Sequence, residues 1–139
     1  MKYDQTTEYW DEIVKIRNQI FLNEQGLKDF EVCDRQDSVA IHFIVLLENV
    51  LIGCCRGKKI NSKTMQIERV CISPNFRKKG FGKELIKFSM KYFHLKGINK
   101  VILCSQLDKK IFYENLGFQE IGNVLQYYGK EHVLMEIYQ

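Results

Sequence analysis

The chain has 139 residues, of which 45% are hydrophobic and 27% charged, and its net charge is +4. This length suits a single domain with its own core over residues 1–139 and is too short for a second one. The charge is too small for a typical nucleic-acid-binding protein, and no apolar run approaches the roughly 20 residues that cross a bilayer, so we expect neither nucleic acid nor a membrane as a partner.

The first half of the chain predicts a helix over residues 9–23 and an antiparallel hairpin of two strands, 40–47 and 50–56. A loop over 58–63 and a further strand over 65–72 follow. The helix follows from apolar residues at three- and four-residue spacing. The hairpin follows from two apolar runs on either side of a short Glu48-Asn49 turn. In the last strand, β-branched residues alternate with other types until Ser73-Pro74.

Residues 73–82 read Ser-Pro-Asn-Phe-Arg-Lys-Lys-Gly-Phe-Gly and lie between that strand and an amphipathic helix that is predicted to end at Gly97. Gly80 and Gly82 allow a tight turn and a close backbone approach, and the helix offers free N–H groups at its positive end. Three cations adjoin the glycines. The stretch is therefore typical of a loop that binds a diphosphate.

The second half continues with a buried strand over residues 101–104 and a helix over 108–115. Gly117 is placed as the left-handed terminator of this helix. Two more strands are predicted within 118–138, on either side of Tyr128-Gly129-Lys130.

The cysteines and histidines do not predict a metal site. The five cysteines have no Cys-x-x-Cys spacing, and the three histidines lie far apart in the sequence. Four of the cysteines fall in apolar strand-like runs, where a free thiol behaves as a small hydrophobe. Free thiols indicate a reducing compartment, and the N-terminus has no apolar run that could serve as a signal peptide, so we expect a cytoplasmic protein.

Three families of phosphate-binding turn can be compared with the glycine loop by the spacing of their residues. A P-loop needs a leading glycine and a hydroxyl after Gly-Lys, and a dinucleotide fold needs Gly-x-Gly-x-x-Gly near the start of a βαβ unit; the chain has neither. Arg-x-x-Gly-x-Gly after a strand instead resembles the acetyl-CoA loop of the GNAT superfamily of N-acetyltransferases. The segment from Phe112 to Phe118 is similar to the aromatic-Tyr-x-x-x-Gly-Phe segment of the same superfamily.

This resemblance implies an α/β (α+β) GNAT fold, with a mixed central sheet of about six to seven strands flanked by about four helices. It also implies an N-acetyltransferase that uses acetyl-CoA as co-substrate, with no metal. Backbone groups of the 65–72 strand would pair with the pantetheine arm, and loop N–H groups would bind the pyrophosphate. The residues implied in binding acetyl-CoA are Val70, Cys71, Ile72, Arg77, Lys78, Lys79, Gly80, Phe81, Gly82, Lys83 and Gln106.

Two narrower resemblances apply to different segments of the chain. Its N-terminal half, Ser105-Gln106 and the Gly129-x-x-His132-x-x-Met135 ending are similar to the ElaA-like branch of GNAT proteins. Residues 66–72 and 110–118 are instead similar to glucosamine-6-phosphate N-acetyltransferases, which have a glutamate at the place of Glu68. That family usually has an acidic residue where this chain has Arg69.

The reaction needs a base, because the amine must lose a proton, and an acid for the departing thiolate. Tyr113 is the candidate acid, and a packed aromatic beside Phe112 is the alternative. Glu68 is the candidate base, directly or through water, because a carboxylate within an apolar strand is costly unless it is paired or functional. Pairing with Arg69 or Arg56 is the alternative.

The candidate acceptor-binding residues are Arg17, His42, Arg56, Arg69 and His132. The arginines either recognise a phosphate or carboxylate on the acceptor or neutralise nearby acidic residues, and the histidines either reach the acceptor or are hydrogen-bonded structural groups. The best specific prediction for the acceptor is the primary amine of glucosamine 6-phosphate, attacked directly in a ternary complex.

Two alternatives to this acceptor remain: an ElaA-like enzyme that acts on another amine or on protein lysine, and an acyl-CoA-binding sensor without turnover. We also expect a homodimer, because Tyr127, Tyr128 and Tyr138 offer apolar surface near the C-terminus.

Overall fold

The computed structural model describes residues 2–4, 8–27 and 31–139. Within these residues, seven strands form one sheet: β1 Lys2–Asp4, β2 Ile41–Leu47, β3 Val50–Asn61, β4 Thr64–Ile72, β5 Lys100–Gln106, β6 Gln119–Tyr127 and β7 Lys130–Tyr138. The α-helices of the same residues are α1 Trp10–Arg17, α2 Phe81–Leu95 and α3 Lys110–Glu114. Short 3₁₀ turns cover Arg35–Ser38, Pro74–Phe76 and Leu107–Lys109.

The strands lie in the order β1-β2-β3-β4-β5-β7-β6. The β4–β5 pair is parallel and the other neighbours are antiparallel. The predicted mixed sheet of six to seven strands is thereby confirmed. In place of about four helices, the described residues contain three α-helices, and the first of them continues as a π-helix.

Several element boundaries differ from the sequence-based prediction. The helix predicted over residues 9–23 is α-helical only to Arg17 and continues as a π-helix over Asn18–Glu24, where Gln25 N–H donates to the Ile20 carbonyl at 2.9 Å. The helix predicted over 108–115 begins as the Leu107–Lys109 3₁₀ turn. β1 was not predicted, and its short run pairs along β2.

The loop predicted over residues 58–63 is wrong. β3 runs to Asn61 and pairs with β4 as far as Asn61↔Thr64, so the connection is a tight turn at residues 62 and 63. The Asn61 side chain accepts a hydrogen bond from Lys63 N–H at 2.9 Å and caps this turn. The lysines of this stretch favoured a loop in the prediction, although the stretch is the end of a strand that projects into solvent.

Each face of the sheet carries its own apolar cluster. On one face, α2 and α3 contribute Leu85, Ile86, Phe93 and Tyr113 to a core with residues of β2–β5 and β7. On the other face, α1 and the π-helix bury Ile13, Ile16 and Ile20 against Ile44, Cys54 and Cys71. Since α1 covers only the β2–β4 part of its face, the rest of that face is open to other contacts.

A gap opens where β4 and β5 separate. The two strands pair only from Thr64↔Lys100 to Ile67↔Leu103, whereas β4 stays on β3 as far as Ile72. Between Glu68 and Cys71, β4 carries one residue more than β3, and Arg69 takes the left-handed conformation at φ +56°. This β-bulge turns the end of β4 away from β5.

Candidate active site

Two cavities meet in the gap between β4 and β5. The loop groove has a volume of 480 Å³ and is lined by Ile72, Arg77, Lys78, Gly80, Gly82 and Lys83, among others. The sheet cavity has a volume of 370 Å³ and is lined by Asp34, Arg56, Glu68, Arg69, Gln106 and His132, among others. Gln25, Val70, Lys109 and Tyr113 line both. The two cavities therefore adjoin each other at these four residues.

The glycines shape the loop groove in two different ways. Gly80 precedes α2 at φ +89°, a left-handed conformation that favours glycine. Gly82 lies in the first turn of α2, where a Cβ atom would come within 3.4 Å of the Phe112 ring and 3.7 Å of Ile72. The first N–H groups of a helix have no intrahelical partner, so the groove meets free donors at the positive end of α2.

The cations of the loop do not all face the groove. Arg77 donates from Nε to the Ile72 carbonyl at 2.9 Å and from Nη2 to Glu24 at 2.7 Å. The hydrogen bonds from Arg77 hold the pKa of Glu24 below its ordinary value. Lys78 and Lys83 line the groove, whereas the Lys79 ammonium lies 5.7 Å from the centre of the Phe76 ring. Arg77 thus links the loop to the π-helix.

The end of β4 presents its backbone to the groove. Ser73 N–H donates to the Ile52 carbonyl at 2.8 Å, so the alternation of an antiparallel ladder directs the N–H and carbonyl of Ile72 away from β3. The Ile72 carbonyl accepts the hydrogen bond from Arg77, so the Ile72 N–H is the group that faces the groove. Val70 and Cys71 line the groove as well. The resemblance to GNAT enzymes implies that this backbone pairs with a pantetheine arm, which stays a prediction.

Tyr113 lies on α3 at the junction of the two cavities and is only 7% exposed. Its ring packs edge to face against Phe112 at 4.9 Å and Phe118 at 6.0 Å between ring centres. Burial raises its pKa well above the ordinary value, and the nearby thiols of Cys55 and Cys71 add to the rise. The phenol therefore stays protonated at neutral pH.

Arg56 binds three carboxylates in one wall of the sheet cavity. Its Nε and Nη2 donate to Glu68 Oε2 at 2.8 and 2.5 Å, and its Nη1 lies 2.6 Å from Asp34 Oδ1 and 2.9 Å from Asp37 Oδ1. The hydrogen bonds from Arg56 lower the pKa of Asp34 to about 2. Lys58 Nζ lies 3.4 Å from Glu68 Oε1. The network therefore favours the charged form of Asp34.

Arg17 and His42 lie outside the sheet cavity. Arg17 is fully buried, donates to the Val32 carbonyl and to Asp37, and stacks over Trp10. His42 is bonded through Nε2 to the Asp37 carbonyl at 2.9 Å, and burial lowers its pKa. Both residues fix the segment around Asp37 against the sheet, so their role here is structural.

Arg69 and His132 do line the sheet cavity. Arg69 Nη2 donates to the Glu31 carbonyl at 3.0 Å and lies 3.3 Å from Asp34 Oδ2. Gln106, which the resemblance placed beside acetyl-CoA, lines the sheet cavity instead of the loop groove, and its Nε2 donates to Gln25 Oε1 at 2.6 Å. Phe81 is not among the residues that line either cavity.

Sequence reasoning missed several residues of the site. Gln25 and Lys109 lie at the junction, and Tyr127 and Tyr128 close the sheet cavity from the β6–β7 hairpin. Gln25 belongs to the N-terminal motif shared with the ElaA-like branch, which was a usable signal. The tyrosines carried no spacing signal, because Tyr128 reaches the α1 cluster only through the fold of the hairpin.

The described residues contain no group of three or more His, Cys, Asp or Glu side chains arranged to hold a metal ion. The five cysteines are free thiols, and Cys54 Sγ lies 3.6 Å from Cys71 Sγ across β3 and β4. Among the helices of the described ranges, none combines the length and apolar character needed to cross a membrane.

Comparison with known proteins gives matches over most of the chain. The profile of the acetyltransferase (GNAT) family matches residues 9–118. The Bacillus subtilis protein YyaT is 32% identical over 127 residues, which cover 89% of this chain and 85% of YyaT. The crystal structure of Escherichia coli ElaA has a TM-score of 0.85 at 20% identity, over 97% of each chain, and shares the fold.

A partial match concerns a sugar-phosphate enzyme. Glucosamine 6-phosphate N-acetyltransferase of Arabidopsis thaliana is 38% identical over 73 residues, which cover 52% of this chain and 45% of the plant enzyme. Similarity to a glucosamine 6-phosphate N-acetyltransferase is therefore present, but it extends over only about half of each chain.

Proposed function

Because the chain belongs to the GNAT acetyltransferase family, and is thus an acyl-CoA-dependent N-acetyltransferase, we propose that it transfers acetyl from acetyl-CoA to the primary amine of a small molecule. The observation that carries this proposal is the junction at Val70 and Tyr113, where the loop groove and the sheet cavity meet. A thioester in the groove and an amine in the cavity would come into contact there, which favours direct attack in a ternary complex.

Acetyl-CoA is proposed to lie in the loop groove. The pyrophosphate would accept hydrogen bonds from N–H groups at the start of α2, with Lys78 and Lys83 as nearby cations. Gly82 keeps the floor open, since a side chain at this position would contact Phe112 and Ile72. The Ile72 N–H is proposed to polarise the thioester oxygen, which would stabilise the charge that develops on attack.

The two proton-transfer roles are proposed for Tyr113 and for a base in the sheet cavity. Tyr113 is buried and protonated at the junction, and would donate a proton to the thiolate as the C–S bond breaks. Glu68 is the first candidate for the base, acting directly or through water. Its Oε2 is occupied by Arg56, so the amine would be met on the Oε1 side, near Lys58.

Glucosamine 6-phosphate is the proposed acceptor. The partial similarity to the plant enzyme supports this choice, and a cavity of 370 Å³ suits a small ligand better than a folded protein. Arg56 is saturated by carboxylates, so its charge is not available for a phosphate. We propose that Lys58 and Lys109, which line the same cavity, supply the positive charge instead.

The test is release of free thiol from acetyl-CoA in the presence of glucosamine 6-phosphate, glucosamine, spermidine and lysine. We expect turnover with glucosamine 6-phosphate and a higher KM with glucosamine, because glucosamine lacks the phosphate that the two lysines would bind. Binding of acetyl-CoA without thiol release from any amine would contradict the enzyme proposal and favour a sensor. Faster turnover with spermidine or lysine would overturn the amino-sugar assignment alone.

We further propose a homodimer that forms along β6. This strand lies at the edge of the sheet, and its apolar side chains Val124, Leu125 and Tyr127 are each at least 41% exposed. An exposed edge strand with apolar side chains favours pairing with a second copy. Light scattering should give twice the chain mass of 16.5 kDa, and a monomer mass at working concentration would contradict the proposal.

A further inference from the structure

We propose that His132 is a second proton acceptor of the sheet cavity and that it takes the proton of the acceptor amine, while Glu68 attracts the ammonium group. This inference rests on the proposed function, since it assigns a residue to the acetyl transfer. It starts from the side chain of His132, which is largely buried at 8% exposure and lines the sheet cavity.

The hydrogen bond of His132 determines its tautomer. Nδ1 lies 3.0 Å from the carbonyl oxygen of Lys130. A carbonyl can only accept, so Nδ1 must carry the proton and donate it. In this tautomer the lone pair of the ring is on Nε2, the nitrogen that does not contact the Lys130 carbonyl. The Tyr127 ring packs against the imidazole at 5.8 Å between ring centres and holds its orientation.

The sheet places His132 on the correct face. On β7, Val133 and Met135 enter the core under α2, so alternation directs His132 and Leu134 to the opposite face. On β4, Met65 and Ile67 enter that same core, which directs Glu68 to the face of His132. His132 pairs with Gln106 at the end of β5, on the far side of the gap from β4. The two side chains therefore approach the sheet cavity from opposite walls.

Glu68 offers the amine one of its two carboxylate oxygens. Its Oε2 accepts two hydrogen bonds from Arg56, and its Oε1 lies beside Lys58. The other charged groups that line the cavity are Asp34, Arg69 and Lys109, and its remaining titratable groups are Cys104, Tyr113, Tyr127 and Tyr128. Asp34 is bound to Arg56 and Arg69. The imidazole of His132 lines the same cavity and combines a fixed tautomer with a lone pair on Nε2.

The proton balance of the reaction is then complete. The ammonium gives one proton to Nε2 of His132, and the neutral amine attacks the carbonyl carbon of the thioester. A C–N bond forms, the C–S bond breaks, and the thiolate takes the proton of Tyr113. The second proton of the nitrogen returns to Tyr113 through water, and the imidazolium releases its proton to solvent. The products are the N-acetyl amine and the free thiol.

Chemical rescue tests this role. In His132→Ala, we expect kcat with glucosamine 6-phosphate to fall about 100-fold or more, with the KM for acetyl-CoA changed by no more than about twofold, and added imidazole to restore kcat about tenfold. His132→Asn keeps a donor for the Lys130 carbonyl but fills the space, so it should lose kcat without rescue. His94→Ala is the matched control, because His94 is exposed on α2.

The outcomes separate this inference from the proposed function. Full kcat in His132→Ala, or a loss that imidazole does not restore in a variant that binds acetyl-CoA normally, would overturn the role of His132. If the unmodified protein acetylates none of the four amines, the proposed function is wrong. The role of His132 is then tested by the rate at which acetyl-CoA is hydrolysed, with water as acceptor. Equal rates of hydrolysis by the unmodified protein and by His132→Ala would refute the role of His132 as a proton acceptor.

Discussion

Nη2 of Arg56 lies 2.5 Å from Oε2 of Glu68, and the two residues are direct partners across β3 and β4. The same guanidinium binds Asp34 and Asp37 from a segment that precedes both strands. One side chain, 1% exposed, therefore joins three carboxylates and fixes one wall of the sheet cavity.

Arg56→Met should destabilise the fold strongly. Removing one partner of a buried ion pair leaves the others uncompensated, so we expect the free energy of unfolding to fall by about 3–5 kcal/mol. Urea denaturation at pH 7 measures this change. Arg35→Met is the control, because Arg35 is exposed. A loss below about 1 kcal/mol, the usual size for an ordinary substitution, would show that the network contributes little.

Stability should decrease in acid through Asp34. The hydrogen bonds from Arg56 lower the pKa of Asp34 from 3.8 to about 2. A group with a depressed pKa in the folded state stabilises the fold above its unfolded pKa, and this contribution disappears as the pH falls from about 4 to about 2. Asp34→Asn should therefore be less stable than the unmodified chain at pH 7, with a smaller difference at pH 2. A difference that stays constant over this range would exclude the pairing.

Gly82→Val should weaken binding of acetyl-CoA. The Cβ of the new residue would lie 3.4 Å from the Phe112 ring, and its methyl groups would extend further into the loop groove. We expect the Kd for acetyl-CoA, measured by calorimetry, to rise about tenfold, which is about 1.4 kcal/mol. Lys87→Val places the same β-branched residue on the exposed face of α2 and should leave the Kd unchanged. An unaltered Kd in Gly82→Val would place the ligand elsewhere.

Tyr113→Phe should reduce turnover without affecting binding. The hydroxyl is buried at the junction of the two cavities, where a departing thiolate would need a proton. We expect kcat to fall about 100-fold or more while the Kd for acetyl-CoA stays within about twofold. Tyr138→Phe, at an exposed position, is the control. Undiminished thiol release by Tyr113→Phe at pH 7 would remove the acid role.

The order of the elements from the first helix onward and the glycine loop of residues 73–82 were predictable from local sequence. Gly80, Gly82 and the cations beside them lie within a few residues of each other, and helical spacing marks α2. The Phe112 to Phe118 segment is likewise local. These features depend on backbone conformation and short-range periodicity, which the order of residues carries directly.

The composition of the site was decided by the tertiary structure. Arg17 and His42 had the same polar character as Arg69 and His132, yet only the latter pair lines the sheet cavity. The bulge at Arg69 brings Glu68 and Cys71 to one face although they are three residues apart, and register brings Glu68 to Arg56. Such contacts depend on strand register and on the face that each side chain takes. A single bulge changes both, and the spacing of residues in the sequence does not record it.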